Sequence, residues 1–149
     1  MYGTVLNVNG SYDLIDAVNG VQASVKSKSA EAYREDLQLE APLMAVIVQR
    51  MVDADYSGVM FTCDPVSGER DVIVVEAVRG LADQLVGGWV TPSHYVITRT
   101  SVLLRGDNQQ AILTSDILSE LASLGLRIDE FFGESQDIEW AMKDDELYV

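Results

Sequence analysis

The chain has a single cysteine, Cys63, so no internal disulfide can form, and a reducing compartment suits it. Bases are scarce: 10 Lys and Arg stand against 24 Asp and Glu, a formal charge of −14. That balance opposes binding to nucleic-acid backbones or anionic membranes. It does not exclude a nucleotide, because a bound metal reverses the local sign of charge. No apolar run approaches the roughly 20 residues of a membrane span. Met1–Gly10 carries no signal-peptide pattern, so a cytoplasmic location is expected. Internal repeats and low-complexity tracts are absent. What is present is ordinary for a soluble globular domain: 149 residues, 48% apolar and 23% charged, enough chain to bury a core.

Read in order, the chain changes character once. After an extended opening and a turn at Asn9-Gly10, Ser11 is placed to cap a helix. Leu14, Ile15, Val18, Val21 and Val25 then recur at helical spacing. A second short helix is expected from about Ser29 to Leu37, and Pro42 marks a boundary. From Met44 the pattern is that of strands. Met44–Val52 is apolar and β-branched, Asp53–Ser57 reads as a turn, and Gly58–Thr62 as the second arm of a hairpin. Asp64–Gly68 is a loop, and Val72–Ala77 is a continuous apolar strand that predicts burial on both faces. Tyr95–Thr98 and Val102–Leu104 are short strands, with His94 placed in a preceding loop and expected to be solvated. Ser115 begins the clearest helix: Ile117, Leu121, Leu124, Ile128 and Phe131 form its stripe and Gly133 its left-handed cap.

The most informative stretch follows that helix. Gln136-Asp137-Ile138-Glu139-Trp140-Ala141 alternates polar and apolar residues, so Asp137 and Glu139 share one face of a strand and Ile138 and Trp140 the other. Two carboxylates about 6–7 Å apart repel unless a cation lies between them. A hard cation such as Mg²⁺, sharing its coordination with phosphates, suits the pair. The other reading is a solvated face in a very acidic protein.

Three blocks in order resemble a known family: Val48-Gln49-Arg50-Met51-Val52; Ser57-Gly58-Val59-Met60-Phe61-Thr62 followed by Asp64-Pro65 and Ser67-Gly68; and Gly133 with Gln136-Asp137-Ile138-Glu139-Trp140-Ala141. They are similar to the ATP-binding domain of phosphoenolpyruvate synthases, pyruvate, phosphate dikinase and rifampicin phosphotransferase. Ala23-Ser24 and Ala32-Tyr33-Arg34 fit the helical segment that precedes the hairpin there, so the resemblance spans essentially the whole chain.

The resemblance implies an α+β, ATP-grasp-like fold with a mostly antiparallel sheet and packed helices. Residues 1–42 would be a helical segment and 43–149 the C-terminal ATP-grasp subdomain. It implies ATP and Mg²⁺ as ligands, with the metal on Asp137 and Glu139. It also implies adenine read at Gln49, Met51 and Val52, where main-chain groups pair with the base edge and Met and Val clamp its faces. Met51 and Val52 as plain core residues is the competing reading. Glu76, at the end of the third strand, is a further candidate nucleotide contact. The family moves the β-phosphoryl group of ATP to a histidine on a separate domain and from there to a final acceptor. Its phosphate-binding Lys and its Arg-Ser-Ser-Ala motif have no counterpart in this sequence, nor does its Gln-x-Arg-Pro motif. No catalytic residue is therefore assigned, and the expectation is a fragment of a phosphotransferase, inactive alone, working with phosphohistidine and acceptor-binding domains. A stand-alone nucleotide-binding or regulatory module is the alternative.

Within the chain, Gly80-Leu81-Ala82-Asp83 replaces the family's Gly-Leu-Gly-Glu. Arg79 reads either as a surface residue or as a phosphate contact. Cys63, without a partnering histidine, is not expected to be a nucleophile.

Overall fold

The computed structural model describes residues 3–36, 44–82, 90–99, 101–105 and 111–149. Leu37, Pro42, Asp83 and Trp89 lie outside the described residues. The chain forms two compact units, Met1–Met51 and Val52–Val149.

The first unit holds helix α1 (Gly10–Ala23), a 3₁₀ turn (Ser24–Lys26) and helix α2 (Lys28–Asp36). The helix starts two residues earlier than the Ser11 cap predicted. Asn9 occupies the cap position with extended dihedrals, and no side chain caps the first turn. Gly10, at φ 83°, makes the turn there, which a β-carbon would strain. Ser24 closes the unit locally: its hydroxyl accepts from the Gly3 N–H (2.8 Å) and donates to the Val21 carbonyl (2.6 Å). Arg34 Nη1 donates to the Val25 carbonyl (2.8 Å), tying α2 back to the 3₁₀ turn. The apolar stripe of α1 is only half-buried, and Ile15 is exposed.

The second unit is a six-stranded sheet with one helix packed on it. Its elements are β1 (Tyr56–Phe61), β2 (Val72–Arg79), β3 (Ser93–Thr98), β4 (Ser101–Arg105), α3 (Ser115–Phe132), β5 (Asp137–Lys143) and β6 (Glu146–Tyr148). The strand order is β4-β3-β2-β1-β5-β6 and every pairing is antiparallel. This is the α+β, antiparallel class expected.

The expected first strand of the sheet is absent. Met44–Val52 is not a strand, and β1 does not form a hairpin with it. A strand needs a free edge to pair with, and both edges of β1 are taken, by β2 and by β5. Ile47 and Val48 are exposed instead. The hairpin is β1–β2, closed through the Asp64–Gly68 loop. There the Asp64 carboxylate accepts from the Val66 and Ser67 N–H groups (2.8 and 3.1 Å), holding its pKa below the usual carboxylate value.

The core lies between α3 and one face of the sheet. Met60, Ile73, Val75, Ala77, Tyr95, Ile97, Ile138, Trp140 and Met142 meet Leu118, Leu121 and Ala122 of the helix. Leu118 and Leu121 are completely buried, each contributing about 2–3 kcal/mol of apolar burial. Tyr95 is buried with its hydroxyl satisfied, accepting from the Ile112 and Leu113 N–H groups (2.8 and 3.0 Å). That pins the segment leading into α3 onto the sheet. Thr114 caps the helix through the Ile117 N–H, and Gly133 at φ 73° ends it. The buried side of α3 is Leu118, Leu121, Ala122 and Gly125, whereas Phe131, expected in the stripe, is 81% exposed. Asp129 already reaches the end of β1, so the last turn of α3 runs past the sheet.

β2 carries the predicted two-sided burial: Val72, Ile73, Val74 and Val75 are all buried. Gly58 on β1 permits close approach, since a β-carbon there would collide with the main-chain oxygen of Glu76.

Candidate functional site: the carboxylate face of the sheet

Alternation along β5 sends Ile138, Trp140 and Met142 into the core and leaves Asp137 and Glu139 exposed on the opposite face. The ladders then place neighbours beside them. Val59 pairs with Glu139 on one side and with Glu76 on the other, and Glu76 pairs with His94 of β3. Glu139, Val59, Glu76 and His94 thus form one transverse row on the face away from α3. Asp137, paired with Phe61, starts the next row. Adjacent strands lie about 4.8 Å apart, which puts Glu139 and Glu76 about 10 Å from each other across Val59.

His94 is therefore a strand residue and not the loop residue expected. Its Nδ1 is 3.6 Å from Glu76 Oε1. The signal was available in the alternation: with Tyr95 directed to the core, its neighbour had to take the other face.

The remaining candidates fall as follows. Gln49 and Met51 belong to the first unit and are exposed, and Val52 opens the second unit, half-buried. Neither Met51 nor Val52 is in the described core cluster. Arg79 is exposed, its guanidinium 5.3 Å from the centre of the Tyr56 ring and its Nη1 donating to the Tyr56 hydroxyl (3.3 Å). It borders an open groove of about 370 Å³ with Leu81, Val90 and Thr91, at the end of β2 away from Asp137. Cys63 is a half-buried free thiol.

As a donor set, Asp137 and Glu139 offer only hard oxygens from one exposed face, which fits Mg²⁺ or Mn²⁺. Among the described residues no three His, Cys, Asp or Glu side chains come together as a metal cage. The pair fits a cation that completes its shell with water and ligand phosphates.

What supports the start of β5 was invisible in the sequence. Thr62, completely buried just past β1, donates its N–H to the Gln136 carbonyl (3.0 Å) and accepts the Gln136 N–H at its hydroxyl (2.7 Å). That hydroxyl donates to Asp129 Oδ1 (3.1 Å), and Arg99 Nη2 donates to both Asp129 Oδ2 and the Thr62 carbonyl (2.8 Å each). Burial opposes ionisation of Asp129, but the hydrogen bonds from Arg99 and Thr62 and the Arg99 charge outweigh it and lower its pKa. At the other end of β5, Asp55 accepts from Lys143 Nζ (2.9 Å) and the Asp144 N–H (3.1 Å), bracing the β5–β6 turn.

The second unit is thus an antiparallel α+β sheet with α3 on one face and exposed carboxylates on the other. The profile of the pyruvate phosphate dikinase AMP/ATP-binding domain matches residues 1–108, and the chain belongs to that family. A phosphoenolpyruvate synthase of Aeropyrum pernix is 44% identical over 101 aligned positions, 66% of this chain and 12% of the relative. A probable phosphoenolpyruvate synthase of Archaeoglobus fulgidus is 33% identical over 173 positions, covering 98% of this chain and 23% of the relative. A rifampicin phosphotransferase of a Streptomyces species is likewise 33% identical, over 98% of this chain and 20% of its own length. The chain thus spans between about an eighth and a quarter of these relatives. Asp137 and Glu139 lie beyond the profile match and within the span of the two longer alignments.

Proposed function

We propose that the chain binds MgATP as part of an ATP-grasp phosphotransferase, with the nucleotide's phosphates and metal directed to the acidic face of the sheet. In this reading 43–149 is the C-terminal ATP-grasp subdomain and 1–42 the helical segment preceding it. Asp137 and Glu139 hold the metal, Glu76 contacts the nucleotide, and main-chain groups at Gln49, Met51 and Val52 take the adenine edge. When bound, Mg²⁺ neutralises phosphate charge that the carboxylates would otherwise repel. The observation carrying the reading is the exposure of Asp137 and Glu139 on one strand face, with Glu139 in the row of Glu76, in a chain of an AMP/ATP-binding family.

The names of the relatives support a reading of the wider activity. Since these are named phosphoenolpyruvate synthase and rifampicin phosphotransferase, we propose that the parent enzyme passes the β-phosphoryl group of ATP to a histidine on another domain, and then to a final acceptor. This chain supplies nucleotide and metal contacts; none of its residues is assigned to proton or phosphoryl transfer.

Thermal unfolding with and without MgATP tests the reading. Binding to the folded state stabilises it by RT ln(1 + [L]/Kd), about 1.4 kcal/mol at ten times Kd. A midpoint unmoved by MgATP up to 10 mM, about the weakest affinity compatible with a nucleotide site, contradicts it.

A further inference from the structure

We infer that Thr62 is a positioning residue for Asp137: its hydroxyl stands in for a main-chain carbonyl and fixes where the carboxylate-bearing strand begins. The inference rests on the metal reading of Asp137 proposed above.

In a regular antiparallel ladder, a hydrogen-bonded pair exchanges two N–H to carbonyl bonds. At the pair Thr62 and Gln136 only one is of that kind, from the Thr62 N–H to the Gln136 carbonyl (3.0 Å). The return bond, from the Gln136 N–H, ends on the Thr62 hydroxyl at 2.7 Å. The Thr62 carbonyl is drawn away to Arg99 Nη2 (2.8 Å). The substitution works only if the hydroxyl keeps a lone pair toward Gln136, so its proton must go elsewhere. Asp129 Oδ1 takes it at 3.1 Å, and Arg99 Nη2 holds the other oxygen of that carboxylate at 2.8 Å. Arg99 thus fixes Asp129, Asp129 fixes the hydroxyl rotor, and the hydroxyl fixes the main chain one residue before Asp137.

The rest of the side chain is also used. Space at Gly125 brings α3 close to Thr62: a β-carbon on Gly125 would lie 3.6 Å from Thr62 Cγ2. The methyl thus faces the helix while the hydroxyl faces β5. Asp137 itself is exposed, so its direction depends on where Gln136 places the backbone.

The test is Mn²⁺ binding to the whole chain, followed by water proton relaxation well below the unfolding midpoint. The variants are Thr62→Val, Thr62→Ser, Asp137→Asn and Leu124→Ala, the last a half-buried position on α3 serving as a stability control. Thr62→Val keeps the shape and removes the hydroxyl. It should weaken Mn²⁺ binding about tenfold, the lower end of the effect of removing outer supports of a metal ligand. Thr62→Ser should bind like the wild type, and Leu124→Ala should lose stability with unchanged binding. If Thr62→Val does not fold, Asp129→Ala, which frees the rotor, carries the same expectation. Wild-type affinity in Thr62→Val, alongside loss in Asp137→Asn, overturns the positioning role and leaves the metal site standing. Equal weakening in Thr62→Val and Leu124→Ala overturns it as well, showing a general effect of stability. Equal binding in wild type and Asp137→Asn removes the metal reading, and the positioning role falls with it.

Discussion

Glu76 and Glu139 flank Val59 in one transverse row on the face of the sheet turned away from α3. With Asp137 in the next row, three carboxylates from two strands share that face. No salt-bridged Lys or Arg is recorded for these three among the described residues, and the pairing of Glu76 is with His94. A face of this kind favours a cation or the metal-bound end of a phosphate ligand.

Removing charge from that face should relieve repulsion when no metal is present. Asp137→Asn and Glu139→Gln are each expected to raise stability slightly, by about 0.2–1 kcal/mol, as like charges on one strand face are separated. Urea unfolding in chelator measures this, and a loss of stability in both variants would count against mutual repulsion.

In the proposed reading Glu76 accepts hydrogen bonds from the nucleotide, while Asp137 and Glu139 hold the metal. Glu76→Gln should weaken MgATP binding about tenfold, the worth of one hydrogen bond to a charged group. Mn²⁺ affinity in the absence of nucleotide should be unchanged. Calorimetric titration of each ligand separates the two.

Gly58 and Gly125 should respond differently to alanine. At Gly58 the new β-carbon meets the rigid main chain of Glu76, and the cost should be about 2–3 kcal/mol or more. At Gly125 it meets the end of the Met60 side chain at 3.0 Å, while the helix gains about 1 kcal/mol of propensity, so the net change should be smaller. Denaturation midpoints of the two variants decide the order.

How much of this was readable beforehand depended on the kind of signal. Helix α3 and the two-faced character of β5 follow from periodicity, and strand β2 from its unbroken apolar run, signals the sequence carries directly. Met44–Val52 misled because composition reports strand preference but not whether a partner edge is free, and β1 had none left. Phe131 misled because helical spacing does not say where the sheet beneath ends. Thr62 stood in plain view as a motif residue, but its role needs Asp129, 67 residues away in the sequence. Only the assembled fold brings them together.

The Asp129 network also sets an acid response. Its folded-state pKa is lowered, so its contribution to stability is present above the unfolded carboxylate value of about 4 and is lost as pH falls through the lower folded value. Asp129→Asn should flatten part of the decline in stability below about pH 4, with the decline due to Asp55 and Asp64, also lowered, remaining. An unchanged acid limb in the variant would contradict the assignment.

Asp137 and Glu139 are proposed to hold a divalent cation together. Titrating Mn²⁺ and following water proton relaxation in the wild type, Asp137→Asn and Glu139→Gln tests it most directly. Binding should be weak, about millimolar, because the pair supplies only part of the cation's shell. Enhancement is expected in the wild type and should be abolished in both variants. Equal enhancement in all three proteins would show that these carboxylates are a solvated face and nothing more.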